Sequence, residues 1–176
     1  MISCKIFFRF NFYLFIFLAS VLASADASKQ AYPVLKAHGD ELPNSCAPAE
    51  KSKLQKSLAS ELGKNSDLNG AWRLIETLLC ADDAQSNKLL LQSSLPPKIR
   101  LTASSTGEKD LVRWVKRDSE LINSLMSKGQ AWNATLESAS NKLTLQYVPD
   151  EACIRTRTMQ FLKGKWSLIS IGEACD

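Results

Sequence analysis

Four of the five cysteines, the single histidine and the adjacent acids Asp82-Asp83 are the residues of this chain whose types and places could do chemistry. Cys46, Cys80, Cys153 and Cys175 stand far apart, no two of them spaced as CxxC, so a thiolate zinc site is disfavoured. His38 is flanked by Gly39-Asp40-Glu41 in a stretch with no sustained period. A general base or metal ligand needs partners fixed on a rigid element, which such a stretch does not offer. Without a second histidine, a Ser–His–Asp or Cys–His arrangement has no base to work with. Asp82-Asp83 suggests paired-carboxylate chemistry, but adjacent side chains point apart, and Asp83 is well placed to cap the helix expected after it. The expectation is a protein without catalytic residues, metal or cofactor.

The cysteines gain a different meaning from the residues before them. The first 25 residues hold no acid; Lys5 and Arg9 precede an apolar run from Phe12 to Leu22, and Ala23-Ser24-Ala25 offers a small-x-small cleavage site. An export signal over 1–25 is therefore expected, and the run is too short for a membrane anchor, which needs about 20 apolar residues. Past the signal lies an oxidising compartment, periplasmic or extracellular, where an even set of cysteines becomes disulfides. Loss of the signal takes Lys+Arg from 22 to 20 against 18 Asp+Glu, for a net charge of +2 rather than +4. That balance gives no case for nucleic-acid binding. It also removes six of the seven phenylalanines and leaves Phe161. About 150 residues remain, enough for one domain with a real core.

The elements that would position these residues follow from periodicity. Residues 26–45, with Pro33, Gly39 and Pro43, read as an extended lead-in to a single domain over 46–176. Leu54, Leu58 and Leu62 mark a first helix from Pro48, stopped by Gly63. Asn69-Gly70 precede a second, with Trp72, Ile75, Leu78 and Leu79 on one stripe. A short third helix runs from Asp83 to Leu91, ended by Pro96-Pro97. Lys98–Thr102 is a short strand. Ser105-Thr106-Gly107-Glu108 matches a capping box, and Leu111, Trp114, Val115, Asp118, Leu121, Ile122 and Leu125 then predict one long helix ending at Gly129. On it Arg113, Lys116 and Arg117 make a solvated face, since acids alternate with them. Trp132–Ser138, Lys142–Val148, Ala152–Leu162 and Trp166–Glu173 are four strands joined by turns too short for crossovers. The fold class is α+β: N-terminal helices and one long helix packed on a curved four-stranded antiparallel sheet, stapled by disulfides.

A turn centred on Gly164 sets paired residue numbers to a constant sum. Cys153 then faces Cys175, Arg155 faces Glu173, Arg157 faces Ile171, Met159 faces Ile169 and Leu162 faces Trp166, all pair types that stabilise facing strands. A glycine bulge would shift this by one. Four cysteines allow three connectivities; the favoured one is Cys153–Cys175, leaving Cys46–Cys80.

The order helix, helix, short helix, short strand, long helix, four antiparallel strands resembles the NTF2-like (cystatin-like, α+β cone) superfamily over about residues 48–174. Phe161-Leu162-Lys163-Gly164-Lys165-Trp166-Ser167-Leu168 resembles the "GKW" closing hairpin common in such domains. The resemblance implies a strongly bent sheet wrapped on helices. It carries no functional residue over, because the Asp/His pair of resembling enzymes is not evident, and members include enzymes, carriers and protein-binding domains.

Trp72 and Trp114 fall on apolar stripes and are expected in the core. Trp132 and Trp166 lie near strand ends, where a ring can line a pocket mouth or partner surface. Arg157 shares the buried face with Met159, Phe161, Ile169 and Ile171, so it must be paired, with Glu173 or Asp118, or reach an opening as an anion anchor. Arg157, Trp132, Trp166 and Phe161 are the candidate binding residues. The favoured function is a non-enzymatic exported protein of the bacterial envelope, of the immunity or inhibitor type, binding a protein partner such as a secreted toxin or hydrolase. The alternatives are a small-ligand protein or enzyme using the cone pocket, and a structural component of an envelope or secretion assembly.

Overall fold

The computed structural model describes residues 42–62, 67–105, 108–139 and 141–176, all within one compact unit, Asp40–Asp176. The expected export signal, most of the lead-in with His38, and the Gly63 stop lie outside the described residues.

Three helices come first: α1 (Pro48–Leu62), α2 (Leu68–Cys80) and α3 (Gln85–Ser94). Leu54 and Leu58 are the buried residues of α1, four apart as the pattern required. Asp67 caps α2 by accepting from the Gly70 amide at 2.9 Å, so Asn69-Gly70 form its first turn rather than precede it. Ala71, Leu74, Ile75, Leu78 and Leu79 then bury one side of α2. The expected capping role of Asp83 on α3 is not filled: Ala84 stands at the N-cap, with no side-chain cap bond. Asp82 accepts from the Ala84 amide at 3.1 Å and from Asn87 at 3.0 Å, while Asp83 turns to Lys128 at 2.7 Å. α3 stops before Pro96-Pro97.

The sheet has six strands rather than four, and it is mixed rather than antiparallel throughout. β1 (Lys98–Ser105), β2 (Leu111–Lys116), β3 (Trp132–Ala139), β4 (Lys142–Asp150), β5 (Cys153–Leu162) and β6 (Lys165–Cys175) lie in the order β2-β1-β6-β5-β4-β3. β3 to β6 form the expected antiparallel meander, and β1 joins β6 in parallel.

The expected long helix does not form. Its first half is β2, the return strand of a hairpin with β1; its second half is the short α4 (Ser119–Leu125). Asp118 separates the two: it is extended and its carboxylate accepts the Leu121 amide at 2.8 Å, so it starts a helix instead of riding inside one. Part of the supposed capping box, Thr106-Gly107, lies outside the described residues. The Glu108 amide donates to the Ser105 carbonyl at 3.1 Å. Trp114, expected in the core, is therefore on a strand and 67% exposed.

The β5–β6 register holds from Cys153↔Cys175 through Thr158↔Ser170. There a bulge leaves Ile169 without an opposite, so Met159 faces Leu168, Phe161 faces Trp166 and Leu162 faces Lys165. The bulge has a packing reason. Trp166, Leu168 and Ile171 are all buried, and a spacing of two and then three cannot reach one face without an extra residue. The turn is the two residues Lys163-Gly164, both at positive φ (51° and 80°), the mirror-image turn that matches strand twist. Both disulfides, Cys46–Cys80 and Cys153–Cys175, have the favoured connectivity. The core lies between α1, α2, α3 and the sheet face carrying Leu143, Leu145, Tyr147 and Met159.

Candidate functional site

Two places in the described structure hold side chains that neither packing nor simple solvation accounts for. The first is on the core face of the sheet. Arg157 of β5 is only 5% exposed, as expected from the register, yet neither expected carboxylate reaches it. Glu173 is held by Arg155 at 3.0 Å, directly across the ladder, and Asp118 is spent on α4. Arg157 instead donates from Nη1 to the Thr156 and Gly172 carbonyls, at 3.0 and 3.1 Å. Its guanidinium lies 5.6 Å from the centroid of the Tyr147 ring, whose hydroxyl accepts from Ser127 at 2.8 Å. Nε has no hydrogen-bond partner among the described residues. Burial pushes this guanidinium below its usual value, and Tyr147 works against that push. For Arg155 burial is again the largest single influence and acts the same way, but the Glu173 hydrogen bond, the charges of Tyr147 and Glu173 and the Tyr147 hydrogen bond together hold the group above its usual value.

The remaining candidate residues separate. Trp166 is buried at 6% exposure and donates its indole N–H to the Asp67 carbonyl at 2.9 Å, tying β6 to the cap of α2. It is structural, not a pocket mouth. Phe161 lies opposite Trp166 at the end of β5, on the face of Met159 as expected but exposed, its ring 5.5 Å from that of Trp166. Trp132 does line a pocket, of about 830 Å³, with Leu42, Gln130, Val148, Pro149, Asp150 and Glu151. Arg157 is not in that lining, so the structure does not join Trp132 and Arg157 into one site. Three potential metal-ligand atoms come together at Cys153, Glu173 and Cys175. The two sulfurs are bonded to each other and the carboxylate is paired with Arg155.

The second place is the β1–β2 hairpin, which sequence reasoning missed. Its base is well anchored: the Arg117 amide donates to Pro97 O, and Arg117 Nη1 donates to the Gln92 and Leu95 carbonyls at the end of α3, at 2.9 and 2.8 Å. Above that base, Ile99 is buried, and Leu101 and Val115 pack partly against the core. The opposite face follows from the pairings Lys98↔Lys116, Arg100↔Trp114 and Thr102↔Val112. It sets an indole among three cations. Leu111, Val112 and Trp114 are 53%, 50% and 67% exposed, and β2 is the outermost strand of the sheet. Among the described residues, Lys98, Arg100, Arg113 and Lys116 form no ion pair. Arg113 and Lys116 are thus not neighbours on a helix face. A signal for this hairpin was present: Val112 and Val115 favour strands, Gly107 can turn, and Asp118-Ser119 is a helix start.

Comparison with known proteins places this geometry beside solved folds only. No family model and no curated protein matches the chain. Solved structures similar to it are NTF2-like and cystatin-like fold proteins, as the element order suggested. One is an NTF2-like protein of unknown function from Shewanella baltica OS155, with TM-score 0.38 and 7% identity, over 62% of this chain and 96% of that one. Another is an NTF2-like protein of unknown function from Silicibacter pomeroyi DSS-3, with TM-score 0.40 and 15% identity, over 62% and 95%. A third, a protein of unknown function with a cystatin-like fold from Nostoc punctiforme PCC 73102, has TM-score 0.36 and 14% identity, over 66% and 95%.

Proposed function

We propose that this chain is an exported, non-enzymatic binding protein of the immunity or inhibitor type, and that the β1–β2 hairpin is the surface it offers to a protein partner. One observation carries the reading: on the outermost strand Val112 and Trp114 are exposed side by side on one face, and Leu111 is exposed on the other. Exposed apolar side chains scattered singly need no explanation, but three within four residues on a sheet edge do. Tryptophan and arginine are also enriched at interface centres, and Trp114 stands opposite Arg100. Two disulfides support export, because they persist in oxidising compartments. Among the described residues no helix is long and apolar enough to cross a membrane.

The small-ligand reading keeps one observation in its favour, the Nε of buried Arg157, partnerless among the described residues. It is the weaker reading because the neighbours of Arg157 on the core face, Tyr147, Leu145, Met159 and Ile171, are themselves buried side chains.

The test compares the native protein with Trp114→Ser in capture from an envelope extract of the source cell. The expected result is a protein retained in stoichiometric amount by the native chain and lost by the variant, whose circular dichroism and melting are unchanged. Equal capture by both would remove the hairpin from the function.

A further inference from the structure

The geometry points to the form of the partner: an extended, acidic segment that adds as a seventh strand on the free edge of β2. This rests on the reading of the hairpin as a docking surface and supplies the chemistry of what docks there.

The backbone is the first part of the argument. Among the described residues β2 pairs with β1 on one side only. A strand of six residues spans about 20 Å and carries a row of amides and carbonyls on its other side, which another extended chain can satisfy.

Charge selects which chain. Lys98 stands directly opposite Lys116, and like charges in facing positions are unfavourable. Arg100 faces Trp114 in the next pair on that side, and Arg113 points from the other face of β2. None of the four has an ion-pair partner among the described residues, whereas other cations do: Lys51 holds Glu76, Lys128 holds Asp83 and Arg155 holds Glu173. A strand with carboxylates at alternate positions would set them on the face of Lys98, Arg100 and Lys116, relieving the Lys98–Lys116 repulsion, and lay its apolar residues beside Leu111 and Val115 on the other face.

Edge lysines commonly protect a sheet against unwanted pairing, and that is the simpler account of Lys116. It does not fit the whole strand, because Leu111, Val112 and Trp114 work in the opposite sense. Cations that repel and apolar groups that attract together discriminate: neutral and basic strands are turned away and acidic ones admitted. A second copy of this chain does not supply such a strand, since β2 itself holds two cations and no carboxylate.

The probe is a synthetic peptide of about ten residues alternating Glu with Val or Thr, added to the full-length mature chain. Two controls carry Lys for Glu, or Pro at alternate positions. The acidic peptide is expected to bind at least about tenfold more tightly than either control, more weakly as salt rises. It should protect the amides of residues 111–116 from hydrogen exchange. The triple variant Lys98→Glu, Arg100→Glu, Lys116→Glu should exchange the preference in favour of the lysine peptide. Equal binding of the Glu and Lys peptides, or undiminished binding of the proline peptide, would overturn the inference. So would a dimer in sedimentation with residues 111–116 protected before any peptide is added. The two levels separate cleanly. A natural partner that needs Trp114 but is not displaced by the acidic peptide overturns this inference alone, whereas capture indifferent to Trp114→Ser overturns the reading beneath it.

Discussion

The β3–β6 meander and the β1–β2 hairpin belong to one sheet but obey different rules. In the meander, each strand presents one face to the helices and the chain alternates accordingly: Leu143, Leu145 and Tyr147 are buried, and Thr144 and Gln146 between them are not. A disulfide closes one end, between the first residue of β5 and the last of β6. In the hairpin only β1 keeps a buried residue, Ile99, and all but one residue of β2 are exposed. Stability is built into the first region, while the second carries apolar surface that stability does not need. Local rules are broken most often where a protein works.

The largest test of that difference sets Leu145→Ala on β4 against Leu111→Ala on β2. Removing the fully buried Leu145 side chain should lower unfolding free energy by about 2–5 kcal/mol, through lost transfer energy and a cavity. The half-exposed Leu111 should cost no more than about 0.5 kcal/mol. Urea midpoints with unchanged m-values would measure both. A loss above about 2 kcal/mol at Leu111 would mean the hairpin is packed after all, and the contrast would fail.

The same difference explains what could be read from the chain. The meander was legible because burial on one face forces period-two alternation and turn chemistry marks its ends; from it came both disulfides and the register as far as Thr158. The bulge at Ile169 was not legible, since a strict alternation gives no reason to move Leu168 to the core until Trp166 and Ile171 are known to be there. The hairpin failed for a deeper reason. Apolar residues at 111, 114 and 115 fit a helical stripe, and only burial of one face can decide between periods. β2 buries almost nothing, so its pattern carried no such constraint, and the helical run was extended through it into α4. Of the candidate residues, Arg157 was placed on the correct face, but the carboxylate assigned to it was not there. Register gives the residue opposite; it does not say which of two arginines, Arg155 or Arg157, takes Glu173.

A smaller effect probes whether anything in the stable half is kept at a cost. Arg157→Met replaces a buried cation by an apolar chain of similar length. Substitutions of this kind for buried charges are often neutral or favourable, so the change in stability should stay within about 1 kcal/mol. Thermal and urea unfolding of the two proteins would measure it. A loss of several kcal/mol would show that the bonds to Thr156 and Gly172 and the Tyr147 ring hold the sheet together, and the meander would owe its rigidity to polar contacts as much as to packing.

The smallest expected effect is at Asp83, and it guards the interpretation of the hairpin's free cations. The hydrogen bond from Lys128 holds the Asp83 carboxyl below the usual range; slight desolvation opposes this, and the charges of Lys128 and Lys88 add to it. A group whose folded value is depressed contributes stability that is fully present above its ordinary value and fades as pH falls through the folded one. Asp83→Asn should therefore leave neutral-pH stability nearly unchanged and remove only a shallow component of the acid limb, itself diminished by salt, because the group is fully exposed. Melting temperature followed from neutral pH to strong acid would show it. Were this exposed ion pair to matter as much as Leu145, surface charge would be holding the fold. Lys98, Arg100 and Lys116 would then have to be explained by the stability of the chain, and the case for an acidic strand on β2 would lose its footing.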